Sequence, residues 1–494
     1  MRRGATVALL MVAAVVLAAC TTPRTAHAPR STTVPTATGG AGSAAQSARA
    51  AASTGTTVAT PPAPPAPGRL EADGLAWRGH GALAFVSDNQ LYVLDDNGVL
   101  TRIVGPSGGA YDDPTWSGDG QWLAFAYDVA PTQLPEGLPD QDEPADDTLW
   151  LVHAGDTTAH QVAPMDIGQF AWAPVGPPLL AFETLTFDAL SQSLWTDVPG
   201  HAATAVPGLS VEAGGFAWSP DATHFAIVAG TNPTPGGPAP TAQLQVIPVS
   251  GGPAVTWYAT TGNSIDLDGW WPDGGGILFW LDVGSSSSVA SDGLTLYSQG
   301  RGASPRALAT TLVNTSWVVP SPTGDTVAVV AGGDRFVWGG GKNVETCGLA
   351  TAVCTPVTRS GGTVTLSPAW ASSRQLSYIV ASASGPFAKD GPADFSPGWM
   401  AQWDATNRLD LSGSQGPTSL SAAGSGVVDV VWNDAGTGLL LVRDDALWWE
   451  PSSSSAPARV AGPLYSTAAP SGYYGQVAWP SMFAWYSGAG ASAG

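Results

Sequence analysis

Short apolar runs recur along this chain, each set between tight polar turns. They include Leu83-Ala84-Phe85-Val86, Leu123-Ala124-Phe125-Ala126, Leu179-Leu180-Ala181-Phe182 and Phe225-Ala226-Ile227-Val228. Later copies are Ile277-Leu278-Phe279-Trp280, Val327-Ala328-Val329-Val330, Leu376-Ser377-Tyr378-Ile379 and Leu439-Leu440-Leu441-Val442. Runs of this length, with no sustained 3.6-residue apolar period anywhere, predict strands and few helices. A third strand often follows, as in Leu91-Tyr92-Val93-Leu94, Leu149-Trp150-Leu151-Val152, Leu244-Gln245-Val246-Ile247 and Leu294-Thr295-Leu296-Tyr297. A short fourth is visible in Leu100 to Val104 and His160 to Ala163. Gly 61 and Pro 42 suit the many turns such a chain needs.

A tryptophan-led phrase introduces each run. Its sharpest copy is Trp116-Ser117-Gly118-Asp119-Gly120-Gln121-Trp122-Leu123-Ala124-Phe125, and weaker ones begin at Trp77, Trp172, Trp218, Trp271, Trp370, Trp432 and Trp479, with Pro320 in one Trp slot. Four short strands per repeat of about 45–50 residues make one propeller blade. The expected fold is therefore an all-β propeller over residues 69–486, of eight blades, or seven if the weakest repeat does not form one. The half-repeat from Gln476 to Tyr486 is placed to close the ring on the first blade. The phrase, with its following L-Y-V strand, resembles the TolB-type, WD40-like (PD40) propeller repeat. That resemblance implies a β-propeller fold, though the α/β domain that precedes the propeller in TolB is absent here, which sets a TolB-specific role aside. The phrase Trp and Asp-Gly are read as architecture: Trp packs between blades, and Gly supplies positive φ in the turn.

Measured back from each phrase, acidic and amide residues recur: Glu71, Asp166, Glu212 and Asn314 six positions ahead, with Asp73, Asp112, Asp113, Asp266, Asp268 and Asp429 at nearby offsets. In a propeller these positions lead from the outer strand of one blade to the inner strand of the next, so they converge on one mouth of the central channel. Clustered carboxylates raise one another's pKa and bind Ca²⁺ or a cationic side chain. Glu71, Asp112, Asp113, Asp166, Glu212, Asp266, Asp268 and Asn314 are therefore the candidate ligand-binding residues. The alternative is ordinary polar turns in a very acidic protein. No cofactor is implied beyond the possibility of Ca²⁺.

Charge bears on partners. Ahead of Arg69 there are five Arg and no Asp or Glu; from Arg69 onward 13 basic residues face 39 acidic ones, a net of −26. Ile103 to Gly300 holds no Lys or Arg and 22 acidic residues. Nucleic acid is excluded as a partner, because its phosphates would be repelled. The acidic stretch Glu136 to Asp147, with Pro135, Pro139 and Pro144, reads as a solvated loop without EF-hand spacing.

Catalytic motifs are missing. There is no G-x-S-x-G and no hydrolase segment after the propeller, so a propeller-plus-hydrolase serine peptidase is not expected. His80, His153, His160, His201 and His224 show no ligand spacing. Gly339-Gly340-Gly341-Lys342-Asn343 lacks the rest of a phosphate loop and reads as a glycine-rich turn.

The N-terminus addresses the chain outward. Met1-Arg2-Arg3-Gly4 precedes an apolar run from Ala5 to Ala19 that ends at Cys20. Fifteen residues at ~1.5 Å each cover roughly 22 Å, too short to span a ~30 Å hydrocarbon core, so residues 1–20 read as a secretory signal. Leu17-Ala18-Ala19-Cys20 resembles a bacterial lipobox, which implies a lipidated Cys20 anchored to the outer face of the cell membrane. Residues 21–68, rich in Ala, Thr, Ser and Pro, read as a disordered tether of about 40 Å reach; residues 487–494 read as a flexible tail. Cys347 and Cys354 remain as an even pair, expected to form a local disulfide outside the cell.

The reading is of an extracytoplasmic, membrane-anchored propeller that binds or scaffolds an envelope protein or glycan. A metal-dependent hydrolase, lactonase or glycosidase using channel-mouth carboxylates is the alternative; the oligomeric state is open. Replacing Cys20 with Ser should abolish radiolabelled palmitate incorporation and release the protein from membranes; continued labelling would remove the lipobox assignment.

Overall fold

The computed structural model describes residues 68–129, 146–163, 167–186, 191–207, 212–230, 241–283, 293–339, 341–357, 361–372, 374–387, 397–413, 416–451, 456–466 and 477–488. The signal and lipobox Cys20, the tether, Asp166, most of the Glu136–Asp147 stretch and the last six residues lie outside them.

Eight antiparallel sheets follow one another, each laid down from its innermost to its outermost strand in chain order. The inner strands of blades 2 to 8 are Ala110–Trp116, Ile167–Trp172, Glu212–Trp218, Asn263–Trp270, Val318–Pro320, Thr363–Ser372 and Val427–Trp432. Blade 1 takes its inner strand from the far end of the chain: Phe483–Tyr486 pairs with Ala82–Ser87. The opposite end closes blade 8, where Glu71–Ala72 adds a fifth, outermost strand beside Ala458–Gly462. The eight-bladed expectation and its terminal closure are met, and the seven-bladed alternative falls.

The second strand of each blade reads as a continuous apolar run because both its faces are covered by neighbouring blades. In Leu123-Ala124-Phe125-Ala126 the large residues pack with Ala84, Val86 and Tyr111 towards blade 1. The alanines meet Ile167, Trp172 and Phe182 of blade 3. Each of the eight interfaces between adjacent blades has such a cluster, the last joining Leu440 and Val442 of blade 8 to Leu83 and Phe85 of blade 1.

Tryptophans also tie the blades polar group to polar group. Trp172 Nε1 donates to the Thr115 carbonyl (3.1 Å), Trp218 to Ala171 (3.0 Å), Trp270 to Ala217 (3.1 Å) and Trp370 to Val319 (2.9 Å). Each acceptor is the residue just before the preceding blade's Trp or its Pro320 substitute. Trp116 reaches Ala484 (3.3 Å), and Trp432 reaches the same kind of carbonyl through the Ser377 hydroxyl, which donates on to Ala369. Pro320 has no indole, so this link is missing between blades 5 and 6.

The series corrects the register at three phrases. In blade 5 the interblade residue is Trp270; Trp271 occupies the turn slot that Ser117 and Ser219 fill elsewhere, its N–H bonding to the Gly276 carbonyl. In blade 1 it is Trp485, opposite Leu83 as Trp116 is opposite Leu123. Trp77 instead ends a four-residue helix capped by Asp73, and Trp479 begins a 3₁₀ turn. Both resemble the phrase only locally, because ring closure takes blade 1's inner strand from the C-terminus. The Asp of the phrase serves its turn: Asp119 accepts from Ser117 Oγ (2.7 Å) and Asp221 from Ser219 Oγ (2.6 Å).

Cys347 and Cys354 face each other across the outer hairpin of blade 6 and are disulfide-bonded. Lys342 is fully buried, its ammonium donating to the Gly332 and Asp334 carbonyls and lying 5.5 Å from the Trp317 ring centre. The glycine-rich segment around it thus builds core and not a phosphate cradle.

Closure is a stability term. Phe483→Ala, in the closing strand, should cost about 3–5 kcal/mol in urea unfolding. Val283→Ala, at a residue 74% exposed, should stay within about 0.5 kcal/mol. Equal effects would mean that the C-terminal strand adds little to the ring.

Candidate functional site at one end of the propeller axis

Because every blade is laid down from inside to outside, all inner strands run the same way along the axis. Their entry halves therefore gather at one end. Inner strands carry an irregularity there: the pairing slips between Asp112 and Thr115, Ala213 and Phe216, Leu267 and Gly269, Leu366 and Ala369, and Val427 and Asp429. Three residues before the interblade Trp, Asp113, Gly215 and Ser367 have positive φ of 46°, 88° and 45°. A bulge re-aims side chains that the pleat would otherwise alternate, and here it sits where the inner strands converge.

Most of the acidic set falls on this irregular stretch. Asp112 and Asp113 lie on the inner strand of blade 2, Asp266 and Asp268 on that of blade 5, and Asp429 on that of blade 8. Asn314 leads into the inner strand of blade 6, where its side chain caps the turn Thr315–Trp317. Glu212 starts the inner strand of blade 4 opposite Gly230, its side chain outside the described residues. Glu71 is a correction: it sits on the outermost strand of blade 8, paired with Arg459, because the N-terminal strand closes the periphery and not the channel. Asp73 likewise caps the helix before blade 1.

Blades 2 and 5 repeat one arrangement. Asp112 lies opposite Ala126, and Asp128 opposite Ala110, which puts both carboxylates on one sheet face as diagonal neighbours; Asp147 directly opposes Asp128. Asp266 lies opposite Trp280, and Asp282 opposite Ser264, in the same relation. Burial, reinforced by Asp113, Asp147 and Asp128, pushes Asp112 up to about 8. Burial and Asp147 raise Asp113 to about 6, and burial and Asp282 raise Asp266 to about 6. Asp268, inside its bulge, is raised by burial.

Three residues were not among the candidates. Glu183, on the second strand of blade 3, is 3% exposed and raised to about 7 by burial, the Gly215 N–H pulling it part of the way back. Its signal, a single Glu in an apolar run, marks burial but not position. Asp404 and Asn407 end and follow the helix Pro397–Asp404, inserted between the second and third strands of blade 7. No phrase-based ruler reaches them. They help line a cavity of ≈ 90 Å³ between the entry ends of blades 6, 7 and 8, together with Asn314, Trp317, Asp429 and Trp479. Burial, then Asp445 and Asp444, raises Asp404 to about 7; burial raises Asp429 to about 7, against the Val430 N–H.

Among the described residues, the compact set of three metal-binding side chains is Glu345, Cys347 and Cys354, and the disulfide occupies both of its sulfurs. The entry-end carboxylates are spread around the axis. What they form is an acceptor-rich, desolvated rim that favours positive charge.

No family model matches this chain, and no curated protein matches it. Solved structures similar to it include a putative TolB from Agrobacterium tumefaciens (15% identity over 56% of this chain and 87% of that one, TM-score 0.33). Another is the β-propeller domain of the Trilobed protease from Pyrococcus furiosus (8% identity, 72% and 98%, TM-score 0.41). A third is a puromycin-hydrolysing peptidase from Mycobacterium tuberculosis (12% identity, 72% and 54%, TM-score 0.45). The chain is similar to about half the length of the Pyrococcus horikoshii acylaminoacyl peptidase, 52%. The ring of eight antiparallel blades makes the chain a β-propeller, the fold that the resemblance of its repeat implied.

The raised carboxylates set the pH dependence. Between the unfolded carboxylate range and about pH 7–8, native Asp112, Glu183, Asp404 and Asp429 hold protons that the unfolded chain has released. Stability then falls as pH rises through that window. With EDTA present, the melting temperature should drop by a few degrees from pH 5 to pH 8.5, and Asp112→Asn should flatten the slope. A melting temperature rising over this range would contradict the assignment.

Proposed function

We propose that this protein is a lipid-anchored, extracytoplasmic binding module that holds a positively charged segment of an envelope protein at the entry end of its propeller. The observation that carries the reading is the gathering of Asp112, Asp113, Asp266, Asp268, Asp404 and Asp429 at the entry end, several of them desolvated. Burial disfavours their charged form, and a cationic partner that compensates the charge draws them into it. A binding role also suits a closed ring whose blades spend their large side chains on packing and leave loops at the rim for recognition. The N-terminal address supports placement outside the membrane, where a lipid on Cys20 and the following tether would give the propeller reach into the envelope. A polypeptide partner is favoured over a neutral glycan because the rim gathers carboxyl groups, which ionise beside a cation.

Immobilised residues 69–494 should capture one or more envelope proteins at low salt, and capture should fall at least about tenfold for Asp112→Asn/Asp266→Asn/Asp429→Asn. Equal recovery by wild type and a cooperatively melting triple variant would remove the entry end as the contact surface.

A further inference from the structure

Each blade ends in an outer strand whose backbone groups alternate between the ladder and the outside of the sheet. Most of these edges are short or already engaged. Thr204–Ala205 and Thr418–Ser419 have two residues, Leu100–Arg102 and Cys354–Pro356 three, and His160–Ala163 four. Glu71–Ala72 covers the edge of blade 8. On the edge of blade 5, the Arg306 guanidinium donates across to the Ala350 carbonyl of blade 6 (2.8 Å). Blade 4 differs. Its outer strand, Val255–Thr261, runs for seven residues, rich in β-branched and aromatic types, with no charge and no proline. Among the described residues no strand pairs with its outer side.

The strand is held firmly from within. Tyr258 to Thr261 pair regularly with Leu244 to Thr241, and below them a bulge at Trp257 interrupts the ladder, its carbonyl accepting from Gln299 Nε2 of blade 5 (2.9 Å). Its aromatic rings turn towards blade 5, Tyr258 against Phe279 (5.3 Å) and Trp257 against Trp270 (5.5 Å). On the opposite face Thr256 Oγ1 and Gln245 Nε2 both donate to Gln243 Oε1 (3.2 and 2.8 Å). Val255, 59% exposed, and Ala259 stand in solvent. Folded chains blunt such edges with Lys, Pro or short length; this strand carries none of the three. An ordered, unblunted edge pairs through its main chain with an extended polypeptide.

Charge selects the occupant. Ile103 to Gly300, which holds the whole of blades 2, 3 and 4, has no Lys or Arg and 22 acidic residues. A second copy of this chain would bring the same sign to the contact, whereas a basic segment is attracted to it. We propose that the edge of blade 4 is a docking site for an extended, basic segment of a partner polypeptide, added as a fifth strand antiparallel to Val255–Thr261. Blade 8, with Glu71–Ala72 antiparallel on its outer strand, shows that a fifth strand fits this fold. Main-chain pairing supplies the attachment, and the acidic surroundings favour Lys and Arg over Asp and Glu in the added segment. This contact lies on the outer wall of the ring and goes beyond the entry-end reading.

The probe is a short acetylated and amidated peptide of alternating Thr and Val with a Lys at each end. It is titrated against residues 69–494, which hold both ring-closing strands, and read by fluorescence anisotropy and hydrogen–deuterium exchange. Binding on the order of 0.1 mM is expected for so short a strand. At saturation, exchange across residues 255–261 should slow by at least about threefold. The same peptide with Glu at each end should bind about tenfold more weakly. So should a version N-methylated at alternate amides, which has lost the donors of one edge. Ala259→Lys should weaken binding by a similar factor while Ala259→Thr keeps it, thermal melts confirming that both variants fold. The entry-end variant Asp112→Asn/Asp266→Asn/Asp429→Asn should bind as wild type does. Equal affinity for the N-methylated peptide, unchanged affinity in a folded Ala259→Lys, or protection confined to other segments would overturn the proposal. Loss of binding in the entry-end variant would overturn it as well, by moving the peptide to the rim. Concentration-dependent dimers that protect residues 255–261 without peptide would give the edge to a second copy instead.

Discussion

Ring closure is the constraint on which the other features depend. Each blade buries two apolar faces, one against each neighbour, so an open array would leave two such faces in water. The chain meets this by sending its last strand, Phe483–Tyr486, to the centre of blade 1 and its first, Glu71–Ala72, to the rim of blade 8. Trp485 then stands in the interblade position, its indole donating to the His80 carbonyl (2.7 Å) beside Trp77 and Trp449. Both chain ends lock the same seam.

Closure also creates the chemistry. The inner strands meet around an axis, and burial there raises Asp112, Asp266, Asp268 and Asp429, the first two beside a second aspartate. Asp112 and Asp266 occupy equivalent positions three blades apart, each diagonal to a second aspartate on the neighbouring strand. Such pairs lower stability at neutral pH and add nothing to packing. Their cost makes sense where a positively charged partner compensates it.

The repeat was legible in the sequence because blade packing imposes it: a Trp, a turn capped by Ser and Asp, and an apolar run recur together. Where the phrase degenerates, the ruler slips. Trp270-Trp271 offers two candidates one residue apart, and only the hydrogen bond to Ala217 distinguishes them. Trp77 and Trp479 carry the right residue at the right spacing but sit beside the ring seam, one in a helix and one in a 3₁₀ turn. Glu71 went astray for the same reason. Asp404 and Asn407 could not be found from the repeat at all, since they belong to an insertion that returns to the axis only in three dimensions.

The sequence by itself determined the fold class, a count of eight blades or seven, the disulfide and most of the acidic positions, because these follow from local periodicity and from residue types that repeat. The tertiary structure alone decided which tryptophans join the blades, which acids reach the axis and where a cavity remains. Those depend on how the ends of a long chain meet, and distance in space between residues some 400 positions apart leaves no local trace.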